Sequence, residues 1–537
     1  MLSNELKSKI NKLWDKFWSR GIANPITAIE QISYLLFMRR IDDADTDAKN
    51  KAEFAGVEYK TIFVRQKVNK GGKLVFDKKG EPVLESADDC RWSHFSLLDP
   101  DTMLEAVSKK AFPFIKNLND PSQPYTRHMQ NAVFIINNSA LLDESVKAID
   151  EIFNEIKRQQ NDGQQFQDTQ GDVYEYLLNE LSQSGKNGQF RTPRHLIQFM
   201  CEIINPDWAD KICDPACGTG GFLLGAYQHI LTRYSSPEEI VLDENGLKRF
   251  KKYGGDRITK QEVWDELNER TFYGFDVDQT MVRIGLMNLM LHGIKIPQIE
   301  NIDTLSKKYD QEYQDGEYSV ILANPPFTGR IDKGGMSTKL KIDGTQSELL
   351  FLVRISKMLR PGGKAAVIIP EGVLFGGSKT QKQTREILLK DNQLEAVISL
   401  PSGAFKPYTG VKTAILVFTK VEEDSQIWHT EKVWFYELKN DGYSLDDNRR
   451  KLAENPLPIA VDAFEQRATT TPIERIKHFY VPLAEIQENG LDLSYNRYKK
   501  FEYEEQTYAP PQKILEALFV LEKEIQKDME ELKNLIG

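Results

Sequence analysis

The sequence predicts an α/β protein, a largely parallel sheet core between an N-terminal, mainly helical domain and a C-terminal helical tail. Three observations carry that reading. From about residue 173, the short apolar runs "KICDP", "FYGFDV", "YSVILA", "KAAVIIP", "LEAVISLP" and "TAILVFTK" alternate with helix-length segments, the texture of strands in a parallel sheet. Upstream, apolar residues recur at helical spacing instead. After about 425 the pattern becomes irregular, and the chain closes on one long amphipathic stretch. Its 537 residues exceed one average domain. We expect a helical domain over 1–160, the sheet domain over 161–480, and an extension over 481–537.

Taken in order, "ITAIEQISYLLFMRRIDDADTDAK" places Ile29, Ile32, Leu35, Leu36 and Ile41 on one helical face, and "LLDESVKAIDEIFNEIKR" repeats the style. Between them "KVNKGGKLVFDKKGEPVLES" reads as a polar hairpin or mobile loop with a solvated lysine run. A polar linker, "QQNDGQQFQDTQGD" (159–172), marks the first boundary. Within the sheet domain, 232–267 reads as an inserted helical excursion. In the tail Leu518, Leu521, Ile525, Met529, Leu532 and Ile536 step by three or four, the seam of a coiled coil or of a helix-docking surface. The alternative is a terminal helix packed on its own domain.

Composition bounds the chemistry. Hydrophobic content of 40% and charged content of 28% are ordinary for a soluble globular chain. The N-terminal stretch is charged and amphipathic, with neither signal peptide nor membrane span. The four cysteines, Cys90, Cys201, Cys213 and Cys217, form no C-x-x-C pair and lack the neighbours a zinc site needs. A reduced, cytoplasmic protein without a metal is expected. The net charge of −10 does not announce a nucleic-acid binder, which usually carries a broad basic surface.

The chemistry concentrates at strand ends. "KICDPACGTGGFLLGAY" ends a strand at Asp214-Pro215, turns through glycines, and starts a helix near Gly221. Glycines let backbone approach a ligand, and the helix N-terminus offers free amide donors. A steric glycine turn is the plain alternative. Asp276 ends the next strand, where an acid accepts from ribose hydroxyls; Asp278 is the alternative and reads as solvent-facing. The gap from Asp214 is 276 − 214 = 62 residues, against about 20 from glycines to acid in a dinucleotide unit. Asp303 in "NIDTL" suits an adenine amino group, or a helix N-cap. The fourth strand ends in Asn324-Pro325-Pro326-Phe327. The prolines stop the ladder and stiffen the backbone. The Asn324 amide oxygen and Pro325 carbonyl can then accept from one exocyclic amino group, with Phe327 stacked on its ring. The alternative is a rigid turn whose Phe327 fills core.

Asp214 to Gly220 followed by Asn324 to Phe327 resembles the motif pair of amino-methylating DNA methyltransferases. More closely, the chain resembles the modification (M) subunit of a type I restriction-modification system. "GQFRTPRHLIQFM" (188–200) is similar to that family's G-Q-[FY]-x-T-P-R segment, and "PGGKAAVIIPEGVLFGG", "LPSGAFKPYTGVKTAILVFTK" and "LDLSYNRYK" follow in the family's order. Arg191 departs from the aromatic common there. The resemblance implies a Rossmann-like S-adenosylmethionine-dependent methyltransferase core. Gln189, Phe190, Arg191, Thr192, Pro193 and Arg194 would close over S-adenosylmethionine. Gly218, Thr219 and Gly220 would line its methionine end, beside Asp214. Asp276 would bind the ribose and Asp303 the adenine. Asn324, Pro325, Pro326 and Phe327 would hold an adenine flipped from the duplex.

The same resemblance accounts for the acidic charge. Modification subunits of this family leave sequence reading on double-stranded DNA to a separate specificity (S) subunit. They join a restriction (R) subunit in the full complex, with two M copies per S subunit. Basic residues Arg330, Lys333, Lys339 and Lys341 follow the Asn324 turn; they would order on DNA, or form a mobile solvated loop. Three other readings stay open: a stand-alone adenine-N6 or cytosine-N4 methyltransferase, a catalytically silent nucleotide-binding scaffold, and a nicotinamide dehydrogenase. The Asn-Pro-Pro-Phe form favours adenine among the first, and the intact turn disfavours the second. The glycine spacing disfavours the third.

Overall fold

Alternation with a period of two builds the central sheet. Every residue of Tyr318–Ala323 is buried, as a strand covered on both faces requires. Val320 and Leu322 enter the core on one side, Ile321 and Ala323 the core on the other. The computed structural model describes residues 3–22, 24–67, 69, 74–161, 174, 176–177, 192–251, 254–421, 427–469, 474–500 and 511–536.

Nine strands form the sheet: β1 (Ile212–Asp214), β2 (Phe272–Asp276), β3 (Gln298–Asn301), β4 (Tyr318–Ala323), β5 (Leu359–Pro370), β6 (Asn392–Ser399), β7 (Thr413–Lys420), β8 (Lys432–Glu437) and β9 (His478–Pro482). Their order is β9-β8-β6-β7-β5-β4-β1-β2-β3. β1 to β5 run parallel; β7 is antiparallel to β5 and β6, and β9 to β8. The chain steps outward from β1 to β3 and returns beside β1 as β4. That reversal opens the crevice at the carboxyl edge in which doubly wound sheets bind ligands.

The N-terminal helices form as their sequence indicates. Helix α1 (Asn4–Ser19) is capped by Ser3, whose hydroxyl accepts from the Leu6 amide at 3.2 Å. It buries Leu6, Ile10, Leu13 and Phe17 against α3 (Ser139–Asn161). Helix α2 (Pro25–Ala55) starts on an Asn24 cap with proline at its first position and ends on Gly56 at φ +66°. Ile29, Ile32, Leu35, Leu36 and Ile41 are all buried. The lysine-bearing segment is a hairpin: Val64–Gln66 pairs antiparallel with Leu84–Ser86, and Lys67, Lys78 and Lys79 are exposed. Arg91 clamps this region to α2, donating to Asp42 at 2.8 Å, Asp45 at 2.6 Å and Asp88 at 2.7 Å.

Two expectations need correction. The 232–267 insertion is not helical throughout. It opens with an antiparallel hairpin, Ile240–Leu242 on Lys248–Phe250, before the helix Gln261–Glu269. Asp243 makes the turn by accepting from the Asn245 and Leu247 amides. The region after 425 is not irregular either, because β8 and β9 extend the sheet there. β9 runs across position 480, and Ile486, Leu493, Tyr495 and Tyr498 belong to the core behind the sheet. These strands were illegible because "KVWFYE" and "HFYVP" are short and embedded in polar sequence. Pairing to β6 makes β8 a strand, and β8 in turn pairs β9.

The last helix, α7 (Pro511–Ile536), leaves Leu518, Leu521, Ile525, Met529 and Leu532 each more than half exposed. The expected linker falls largely outside the described residues. Among those described, no helix is long and apolar enough to cross a membrane.

Candidate active site

The glycine turn is held from three sides. The Cys217 amide donates to the Phe275 carbonyl at 2.9 Å, tying the end of β1 to β2. Gly218 and Gly220 have φ of +50° and +77°, the left-handed region that glycine enters without penalty. Gly220 caps helix α5 (Gly221–Arg233). Under the turn lies α6 (Gln279–Leu291), where Gly285 is required: a Cβ there would sit 3.1 Å from the Gly218 carbonyl oxygen. Asn288, fully buried on α6, donates Nδ2 to the Thr219 carbonyl at 2.8 Å. Sequence reading missed Asn288; an amide inside "MVRIGLMNLML", three residues after Gly285, was the available signal. Cys217 fills space as expected of a small packing residue, its Sγ lying where a Gly274 side chain would be.

Asp214 and Asp276 stand at the ends of adjacent strands. Asp214 is buried and accepts from the Ala216 amide at 3.1 Å. Burial pushes its carboxyl up to about 8, the Ala216 N–H opposing and the charge of Asp276 adding to the rise. Asp276 accepts from the Gly218 amide at 2.9 Å and the Asp278 amide at 2.8 Å. Burial raises its pKa against those two bonds. A carboxylate has about four acceptor positions, and these amides do not fill them all. Asp278 caps α6 through the Thr280 and Met281 amides. Asp303 lies past β3, accepting from the Leu305 amide at 2.9 Å. The N-cap of the helix that follows is Ser306, not Asp303. Thr304 fastens this loop to the glycine turn, donating to the Pro215 carbonyl at 3.2 Å.

Asn324 follows β4, the strand beside β1. Its Nδ2 donates to Thr192 Oγ1 at 2.9 Å, while its Oδ1 is buried without a hydrogen-bond partner among the described residues. Leaving such an oxygen unmet costs roughly 1–3 kcal/mol. Pro325 is buried and Pro326 exposed. Phe327 is 6% exposed, its ring edge-on to Phe405 at 5.8 Å and 85°. Thr192 and Pro193 lead into helix α4 (Arg194–Ile204), and His195 on its first turn meets the fully buried Asp441 at 2.8 Å. Asp441 also holds Arg449; its partners keep its carboxyl below the usual range although burial acts the other way. Gln189, Phe190 and Arg191 lie outside the described residues. The structure therefore gathers Thr192, Asp214, Gly218 to Gly220, Asp276, Asp303 and Asn324 to Phe327 along one sheet edge.

The family description "N-6 DNA Methylase" matches residues 165–507, and "HsdM N-terminal domain" matches 6–152. This chain belongs to the methylase subunits of type I restriction enzymes. It is 33% identical over 427 residues to the EcoEI methylase subunit of Escherichia coli, covering 78% of this chain and 77% of that protein. Identity to the StySPI methylase subunit of Salmonella potsdam is 27% over 409 residues, with 72% and 69% covered. A chain solved in work on complex assembly and conformational transition of the type I R-M system superposes with TM-score 0.62 at 25% identity, covering 99% and 98%. The methyltransferase subunit from Streptococcus thermophilus superposes with TM-score 0.63 at 17% identity, covering 92% and 100%. The fold is that of a Rossmann-like methyltransferase, and the chain is an adenine-specific DNA methyltransferase subunit of a type I restriction-modification system.

Proposed function

We propose that this chain methylates the N6 amino group of an adenine turned out of double-stranded DNA, using S-adenosylmethionine at the β1–β4 crevice. The buried, unpartnered Oδ1 of Asn324 carries the reading. An acceptor with no partner among the described residues, at the tip of a stiff turn beside a glycine cradle, fits an incoming amine. The cradle fits the cofactor: left-handed glycines leave the backbone bare, and Asp276 keeps acceptor positions for ribose hydroxyls while Asp303 serves the adenine. The bound cofactor supplies an electrophilic methyl group. Asn324 Oδ1 and the Pro325 carbonyl accept from the target amine and aim its lone pair, a preorganisation effect. Gln189 to Arg194 close over the cofactor. Phe327 stacks on the flipped base, which requires its present cover to withdraw.

Partners follow from charge and from the bare terminal helix. The specificity subunit reads the site and docks on α7, two copies of this chain serve each specificity subunit, and the restriction subunit joins in the full complex. The 330–341 loop meets DNA. It is folded rather than loose: Ser337 bonds Asp310 and Lys339 bonds Asp315, while fully buried Arg354 holds both acids. Arg330, Lys333 and Lys341 are left exposed. The domain plan keeps a helical unit over 1–160 and a tail, with the catalytic unit carried from 161 to about 500 by the packing of Tyr495 and Tyr498. Four buried, unpaired cysteines suit the cytoplasm.

The test is transfer of labelled methyl from S-adenosylmethionine to unmethylated bacterial DNA, by this chain alone and with its specificity subunit. We expect activity only with the partner and loss of it in Asn324→Ala with cofactor affinity retained. Activity of the chain alone would refute the borrowed-reader arrangement, and an active Asn324→Ala would refute the site.

A further inference from the structure

An asparagine amide has two ends of nearly equal size and opposite chemistry. Only its oxygen can accept from an adenine amine; a half-turn of the amide would present NH2 to NH2 and repel the base. Something must therefore set which end faces the target. Among the described residues the hydrogen bond made by the Asn324 side chain runs from Nδ2 to Thr192 Oγ1, at 2.9 Å, and Oδ1 is left unpartnered.

Thr192 is itself firmly placed. It is 8% exposed, and it stands two residues before α4. The first turn of α4 is closed by the Leu196 and Ile197 amides donating to the Pro193 carbonyl at 2.9 and 3.1 Å. His195 in that turn is pinned to Asp441, which Arg449 also holds. The hydroxyl thus projects from a backbone anchored into the far part of the chain.

A threonine hydroxyl can accept or donate, so Thr192 secures the position of the amide and, accepting from Nδ2 as it does here, leaves the oxygen for the target amine. We infer that Thr192 is a positioning residue that holds Asn324 in this sense. This rests on the site proposed above and assigns Thr192 a task on the base side, beyond covering the cofactor. Thr192 also lies in the 189–194 segment assigned to the cofactor. Placement of that segment and readiness of Asn324 are then linked through one hydrogen bond.

Thr192→Val keeps the shape of the side chain and removes the acceptor; Thr192→Ser restores it. In the complex with the specificity subunit, single-turnover methylation of unmethylated bacterial DNA should fall roughly 10- to 100-fold in Thr192→Val, the scale of losing one preorganising contact. DNA affinity and melting temperature should stay within about threefold or a few degrees, the rate being read at saturating S-adenosylmethionine because Thr192 also lies in the segment assigned to the cofactor, and Thr192→Ser should recover most of the rate. If Thr192→Val does not fold, Thr192→Ala removes the same hydroxyl and is read the same way. An unchanged rate at saturating cofactor overturns the inference, whether or not cofactor affinity drops. Asn324→Ala run alongside separates the levels. If it is inactive while Thr192→Val is normal, only the role of Thr192 fails; if it is active, the proposed site fails too.

Discussion

Gly225→Ala tests how the helix carrying the glycine cradle is seated against α4. A Cβ at 225 would lie 2.3 Å from Ile197 Cγ2, 3.5 Å from Cys201 Sγ and 3.8 Å from Ile197 Cβ. Carbon atoms in contact prefer about 3.5–4.0 Å, so the first distance is an overlap of more than about 1 Å. Ile197 is buried and β-branched, so Cγ2 cannot swing away without an eclipsed χ1. The helices must separate instead, at the upper end of the roughly 1–3 kcal/mol range for overpacking. Replacing glycine by alanine inside a helix returns about 1 kcal/mol. The net loss is then about 2 kcal/mol. Unfolding entropy near 2.1 cal/mol/K per residue, over the roughly 340 residues from 165 to 507, converts that to a melting temperature lower by about 3 °C. The decisive assay is a double-mutant cycle by calorimetry or denaturant titration. In an Ile197→Ala background Cγ2 is gone and Gly225→Ala should become stabilising by about 1 kcal/mol. In an Ile197→Val background Cγ2 remains and the loss should persist. The same sign in all three backgrounds would refute this account of the contact.

Asp214→Asn should flatten the pH dependence of stability between pH 6 and 8. The folded pKa, raised by burial to about 8, favours the protonated acid. Its contribution is complete below the ordinary carboxyl pKa and is lost as pH rises through 8, by up to about 1.4 kcal/mol per pH unit. Wild type and Asp214→Asn losing stability in parallel across that window would show that this carboxyl does not titrate there. Neutralising Arg330, Lys333, Lys339 and Lys341 together should weaken DNA binding by the complex and lower its salt dependence by up to about four counterions; an unchanged salt slope would exclude the loop from the interface. Leu521→Asp with Ile525→Asp should abolish co-purification with the specificity subunit while leaving the melting temperature within about 1 °C, because both side chains are already exposed. Retained co-purification would place docking elsewhere.

Much of the site was legible because its parts are local. An apolar run ending in Asp-Pro and glycines, or in Asn-Pro-Pro, announces a strand stopped at a ligand edge, since proline and glycine act on their own backbone. Asp214, Asp276 and Asn324 were readable for that reason. What the sequence could not determine depends on which distant segments pack together. Thr192 meets Asn324 across 132 positions, and His195 meets Asp441 across 246. No periodicity encodes either pair. β8 is a strand because β6 offers an edge and β9 because β8 does, and Gly285 and Asn288 matter because the glycine turn rests on them. Local sequence set the strand ends and their chemistry through backbone preference and side-chain period. Tertiary packing decided which polar atoms found partners, and among the described residues it left Asn324 Oδ1 without one.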